Sequence, residues 1–452
     1  MTPEQISYWF DPLFTTDAMR AVFSDRGRLH GMLDFEAALA RAEAAAGVIP
    51  EPAAGVIASH CRAELFDTEA LARAGALAGN SAIPVVRELT AIVGRADPDA
   101  ARYVHWGATS QDAMDTGLVV QLRSALDLID ADLGRLSDAL ATLAKDHKLT
   151  PLSGRTWLQH ATPVTFGLKA AGWLGAVERH RARIRAMRPR VLALQFGGAA
   201  GTLDVLGEQG LRVAGVMADD LQLTLPDLPW HAHRDRPAEV AAALGLLVGT
   251  LGKVARDVSL MGQTEVGELA EPGEPGRGGS SAMPHKRNPV GSAVVLAAAA
   301  RVPALVSVML TAMVQDHERG LGGWHAEWET LPEICILTAG ALAHLSRVMA
   351  CLEVHPERMR ENLGATHGLI LAAAAAAALG RHLGRQPAHE LVERACRRAV
   401  EDGRHLRAVL AEDPEVRAVL TDADLDRVFD AGDHLGLAGV FVDRVLANRA
   451  GG

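Results

Sequence analysis

Leu122, Leu126, Ile129, Leu133, Leu136, Leu140 and Leu143 recur at alternating intervals of four and three residues. That spacing is a helix-packing seam held over more than three heptads. It predicts a helix of about thirty residues, on the order of 45 Å long at ~1.5 Å per residue. A single small domain rarely needs such a rod, whereas long bundles do, including bundles shared between subunits. The composition agrees: 49% of the chain is hydrophobic and only 4% aromatic. A core of Leu, Ala and Val follows, which favours packed helices over sheet. At 452 residues the chain is long enough for two or three domains. The expected fold is therefore all-α, with an N-terminal helical domain over 1–100, a central long-helix bundle over 101–350 and a C-terminal helical domain over 351–452.

Charge and cysteines narrow the function. The formal net charge is -10, and no cluster of Lys and Arg is long enough to follow a nucleic-acid backbone, so no nucleic-acid partner is expected. The densest basic run, Arg179 to Arg190, reads as a solvated helix face rather than a phosphate site. Cys61, Cys335, Cys351 and Cys396 lie far apart without a C-x-x-C, which argues against a disulfide framework or a zinc cluster. Reduced thiols fit the cytoplasm. The opening Met1-Thr2-Pro3-Glu4 lacks a basic region followed by an apolar run, so no signal peptide is expected. The Ala-rich tract from Leu371 to Leu379 is too short to span a bilayer, and no membrane partner is expected.

Local signals place the remaining elements. Ser24 and Asp25 can cap a helix carrying Leu29, Met32, Phe35 and Leu39 on one face, which Gly47 and Pro50 end. His105 to Asp112 forms a polar turn at the mouth of the seam helix, where Thr109, Ser110 and Asp112 can act as N-caps or bind a carboxylate. Gly154 to Pro163 precedes a second long helix, from about Val164 to Arg188. The glycines of Gln195 to Thr202 allow close backbone approach. His231 and His233 stand two apart and do not share a helix face, so they are not expected to form a metal pair. A helix runs from Pro237 to about Gly262, and another from Val290 to about Gln315.

Between those two helices, Pro272 to Gly279 is too rich in Gly and Pro for helix or strand, and a mobile surface loop is expected. Ser280, Ser281, Lys286 and Asn288 follow, with Pro284 and Pro289 fixing the turn. A hydroxyl, an ammonium and a carboxamide in that order suit proton transfer at a carbon next to a carboxylate, where Lys and Asn stabilise the charge that collects on oxygen.

Gly279 to Pro289 resembles the G-S-S-x-M-P-x-K-x-N loop of the fumarase/aspartase superfamily. The resemblance implies that superfamily's long-helix fold, with Ser280 as the catalytic hydroxyl and Lys286 and Asn288 as ligands of a substrate carboxylate. Thr109-Ser110-Gln111-Asp112 is similar to its T-S-x-D motif, which implies that Thr109, Ser110 and Gln111 touch substrate. Gly154 to Pro163 is similar to its G-R-T-H-x-Q-x-A-x-P motif with one departure, since Trp157 replaces the histidine that serves the leaving group. By the same likeness Thr156, Trp157 and Gln159 bind substrate, while His160 is not promoted to the missing role. Gln195 to Thr202 also resembles a family segment. Arg234 matches a family arginine that meets a carboxylate, or it pairs only with Asp235.

His317-Glu318-Arg319 resembles the H-E-R of adenylosuccinate lyases, but the serines and arginine that hold a nucleotide phosphate there are Trp324, His325 and Trp328 here. An indole offers one N–H and no fork, so a mononucleotide substrate is disfavoured. A carboxylate leaving group, with a pKa of about 4, departs without a general acid. Trp157 is then compatible with the lactone-forming cycloisomerase branch, which this chain resembles nearly end to end. That implies a small tricarboxylate substrate from protocatechuate breakdown, no cofactor and no metal. It also implies a homotetramer whose active sites are shared between chains. Two alternatives stand beside it: a C–N lyase that releases fumarate from a succinylated substrate, and a non-catalytic bundle protein.

Overall fold

The computed structural model describes residues 9–274 and 276–450. The opening Met1-Thr2-Pro3-Glu4 and Pro275 of the glycine-proline approach lie outside the described residues.

The fold is all-α. The seam residues lie on a helix of 37 residues, Ser110–Asp146, about 55 Å long at ~1.5 Å per residue. Leu122, Leu126, Ile129, Leu133, Leu136 and Leu140 are all buried, and Leu143 is half-buried near the helix end. Ser24 caps the Asp25–Ala45 helix by accepting a hydrogen bond from Gly27 N at 3.0 Å. Leu29, Met32, Phe35 and Leu39 of that helix are buried, and Gly47, with φ at 76°, follows its end.

By internal contacts the chain divides into two compact units drawn from interleaved segments. One comprises Met1–Leu133, His180–Gly252 and Val294–His344; the other comprises Gly134–Arg179, Lys253–Ala293 and Leu345–Gly452. Within the second unit, the helices Ala372–Leu383, Arg385–Glu401 and Leu406–Glu412 enclose a cluster that includes Leu379, Leu391, Leu406 and Leu410. The breaks expected there are present: Gly403 has φ at 63°, and Asp413 caps the next turn by accepting from Glu415 N at 2.9 Å.

One stretch differs from the sequence reading. Gly154 to Pro163 does not simply lead into a helix; it forms an antiparallel hairpin of Pro151–Thr156 and Gln159–Thr165, and the helix starts at Phe166. Its two-residue turn holds Trp157 and Leu158, both with positive φ (54° and 63°). That backbone is normally supplied by Asn-Gly or similar pairs, so the sequence carried no hairpin signal. The other strand pair is Leu269–Ala270 with Glu353–Val354.

The basic run makes ion pairs as a solvated face would: Arg185 with Asp130, Arg188 with Asp127 and Arg190 with Glu239. All four cysteines are free. Among the described residues, Asp235–Met261, Val290–Ala312 and Gly323–Ala350 are long and apolar enough to cross a membrane by length and composition. In the first and last of these, 61% of the apolar window is buried within the chain, but in Val290–Ala312 only 28% is.

Candidate functional site

In the first unit, the polar turn before the Ser110–Asp146 helix is built around Asp112, which the sequence marked only as a cap. Its carboxylate accepts from Thr109 N at 3.0 Å, as an N-terminal cap does. It also accepts from Gly197 N (3.0 Å), Gly198 N (2.9 Å), Gln195 Nε2 (3.2 Å) and His231 Nε2 (2.7 Å). Gly198 has φ at 69°, which lets successive backbone N–H groups converge on one carboxylate. Thr109 and Ser110 are half-buried at the helix start. Arg319, which the sequence reading did not place in the site, donates from Nη1 to Thr109 Oγ1 at 3.3 Å and from Nη2 to Ala199 O at 3.0 Å. Its H-E-R motif was the available signal.

The same turn is anchored at His105, whose φ is 60°. His105 Nδ1 donates to the buried Glu36 carboxylate at 2.6 Å. Burial alone would lower the pKa of this imidazole, but the Glu36 charge and that of Asp112 outweigh it and the net shift is upward. Two helical turns along from Glu36, the Glu43 carboxyl is fully buried with no hydrogen-bond partner on either oxygen. Burial, and secondarily Glu36, push its pKa up to about 9.

Beneath the turn lies a buried charge network. Arg234 does not pair with Asp235. Its Nη1 and Nη2 donate to Asp115 at 2.7 and 3.0 Å, and its Nε and Nη2 donate to Glu327 at 3.0 and 2.6 Å. The guanidinium also lies over the Trp230 ring, 4.9 Å from the centroid. Burial pushes the Glu327 carboxyl upward in pKa against the opposing pull of Arg234. Gln111 is buried as well, its Nε2 donating to Asp115 and to His231 O, both at 3.0 Å. Neither Arg234 nor Gln111 has a donor facing open space; both brace the helix start from within.

Trp324 Nε1 donates to Asp115 at 3.0 Å, so this indole's single N–H is already taken. Trp324 and Trp328 are edge-to-face at 5.0 Å. Together they wall a cavity of about 460 Å³ that Met32, Leu71, Asn80 and Glu327 also line. No cationic fork stands where the phosphate ligands were sought in this segment.

In the second unit, Glu271 to Pro289 contains neither helix nor strand among its described residues. Asn288 N donates to Gly278 O at 2.8 Å, and Asn288 Nδ2 to Gly279 O at 3.4 Å. Gly278 has φ at 70°, and a Cβ there would sit 2.6 Å from Asn288 O, so only glycine allows this closure. Ser280 Oγ accepts from Met283 N at 3.1 Å and Ala282 N at 3.3 Å. Those donors stabilise negative charge on the oxygen when the hydroxyl gives up its proton. Lys286 is exposed. Arg287 is held by Glu353 at 2.6 and 3.0 Å. Ser280, Lys286 and Asn288 thus share one closed loop.

Thr156, Trp157 and Gln159 share the hairpin tip, where Trp157 is 98% exposed. His160 pairs with Arg155 one step below the tip, and burial, then Arg155, lower its pKa; it does not take the position of Trp157. The motif's arginine, Arg155, forks onto the buried Glu268 at 2.6 and 2.8 Å, and Asn362 Nδ2 completes that carboxylate at 2.9 Å. Among the described residues, no group of three or more His, Cys, Asp or Glu is placed to hold a metal.

A loop that presents a hydroxyl, an ammonium and a carboxamide, on a chain of long seam helices, defines a lyase of the fumarase/aspartase superfamily, and the chain belongs to that family. The lyase family matches residues 13–304, and the adenylosuccinate lyase C-terminus matches residues 368–445. The chain is 61% identical to 3-carboxy-cis,cis-muconate cycloisomerase of Pseudomonas aeruginosa, over 97% of this chain and 95% of that one. Its fold is similar to the crystal structure of the 3-carboxy-cis,cis-muconate lactonizing enzyme from Pseudomonas putida, with a TM-score of 0.94 and 56% identity over 98% of this chain and 99% of that one. It is also similar to beta-carboxy-cis,cis-muconate cycloisomerase from Acinetobacter calcoaceticus, with a TM-score of 0.93 and 44% identity over 98% and 100%.

Proposed function

We propose that this chain lactonises 3-carboxy-cis,cis-muconate to 4-carboxymuconolactone in protocatechuate catabolism. The observation that carries the reading is the end-to-end likeness at 61% identity to a cycloisomerase of that name, joined to a signature loop with Ser280, Lys286 and Asn288 intact. One terminal carboxylate of the substrate attacks the carbon that bears the 3-carboxyl group. Electron density moves toward the other terminal carboxylate, where Lys286 and Asn288, with Thr109 and Ser110, stabilise it. Ser280 gives its proton to the carbon beside that carboxylate, and its oxygen is then supported by the N–H groups of Ala282 and Met283. Thr156, Trp157 and Gln159 contact the substrate from the hairpin tip, while Gln111 and Arg234 hold the Thr109 turn from behind. The residues bind, orient and move one proton; the balance of the reaction needs no cofactor.

The active unit of this proposal is a cytoplasmic homotetramer with sites completed by neighbouring copies. Free thiols support that compartment. The apolar Val290–Ala312 helix, largely uncovered in one chain, and the exposed Trp157 and Leu158 support the assembly. Incubation with 3-carboxy-cis,cis-muconate is expected to lower the ultraviolet absorbance as the conjugated diene is shortened, with the lactone identified as product. Fumarate release from a succinylated substrate, without lactone, would transfer the chain to the C–N lyases.

A further inference from the structure

Arg277 lies three residues before Ser280, and its guanidinium has no acceptor: Nε and Nη2 are buried and make no hydrogen bond. The acids around it are occupied. Glu271 caps the Val290–Ala312 helix, accepting from Gly291 N at 2.9 Å and Ser292 N at 2.7 Å. Glu274 is held by Arg347, whose Nε donates at 3.0 Å, and Glu353 is held by Arg287. Arg277 is thus the arginine of this loop left with open donors.

Its position is built for a guanidinium. Nη2 lies 2.9 Å from where a Cβ would stand at Gly291, so a side chain at that position would strike it. Ser292 Oγ, on the next residue, is buried and also without a partner. The residue after Arg277 is Gly278, whose back-to-back closure with Asn288 ties Arg277 to the part of the loop that carries the carboxamide. An arginine whose donors are desolvated and unpaired calls for a planar anion, and a carboxylate fits its fork bidentately.

We propose that Arg277 is a substrate-binding residue that recognises the third carboxylate of a small tricarboxylate. The inference rests on the lactonisation proposed above, in which the three carboxylates have different tasks. One attacks, and a guanidinium fork on it would occupy the lone pairs it needs. A second receives the developing charge and is met by Lys286 and Asn288. The 3-carboxyl group neither attacks nor gains charge, and Arg277 holds it, so that selection for three carboxylates over two resides in this residue.

The test uses the full chain with Arg277→Gln and Arg277→Lys. Calorimetric binding of propane-1,2,3-tricarboxylate is compared with that of glutarate, alongside turnover of 3-carboxy-cis,cis-muconate and a thermal melt. Wild type is expected to prefer the tricarboxylate, and Arg277→Gln to lose that preference roughly 10- to 100-fold. The same variant should raise KM while kcat changes little, with an unchanged melt. Arg277→Lys should retain part of the preference through its charge. If Arg277→Gln weakens both acids equally, or leaves the preference intact, the proposal is overturned. Absence of turnover in wild type would instead remove the lactonisation reading, while the binding comparison still decides what Arg277 recognises.

Discussion

Ser280 and Arg234 are both charge-handling residues, but they are held in opposite ways. Ser280 sits in an open loop with its oxygen accepting from two backbone N–H groups; its methylene packs nothing essential. Ser280→Ala is expected to reduce turnover by about 10²–10⁴-fold, the usual contribution of a positioned proton donor, while the melting temperature stays at the wild-type value. Wild-type turnover in that variant would show that the hydroxyl does not move the proton. Arg234 is closed inside the fold between Asp115 and Glu327. Arg234→Ala leaves two buried carboxyls without their cation and should cost about 3–5 kcal/mol, read by urea denaturation. Glu43 gives a pH-dependent case. Its folded-state pKa of about 9 lies above the ordinary carboxyl range, so the unfolded chain releases this proton first as pH rises. The contribution of the neutral form is therefore complete in acid and is lost on the way up to about pH 9. Glu43→Gln should thus stabilise the protein more at pH 8 than at pH 5, by on the order of 1 kcal/mol per pH unit over that interval. A difference independent of pH would show that Glu43 is charged in the folded protein.

At the scale of elements, the hairpin carries the sharpest prediction. Trp157 and Leu158 hold positive φ without glycine, at a cost of about 1 kcal/mol or more for each. Replacing them with Asn-Gly should raise the thermal stability yet lower turnover, because the tip would then turn easily but lack its indole. Unchanged turnover would free Trp157 from any part in the site. This element was also the least legible in the sequence. Helices declared themselves through period and caps: the leucine seam gave Ser110–Asp146, and Ser24 set the start of Asp25–Ala45. A Trp-Leu turn gives no such sign, because its conformation is imposed by the paired strands rather than preferred by its residues. The Ser280, Lys286 and Asn288 loop was legible because its chemistry is contiguous. Arg319 was not singled out, since its contact with Thr109 joins residues 210 apart.

At the scale of the molecule, the uncovered apolar Val290–Ala312 helix predicts association. Sedimentation is expected to give about four times the 47.8 kDa chain mass, and a monomer at working concentration would remove the case for shared sites. We also propose that 1–100, 101–350 and 351–452 are the units released by limited proteolysis; cleavage elsewhere, within the long helices, would count against that division. The sequence alone determined the helical class, the seam, the principal caps, the signature loop and the superfamily. Each is written in residues a few positions apart, the range over which helix period, capping and turn chemistry act. Only the tertiary structure decided that Arg234 meets Asp115 and Glu327, 119 and 93 residues away, that Asp112 gathers the Gly197 and Gly198 backbone, and that Arg277 is left without an acceptor. Which acid finds which base is settled by what packing brings together and what burial leaves unsatisfied, and no local pattern encodes that.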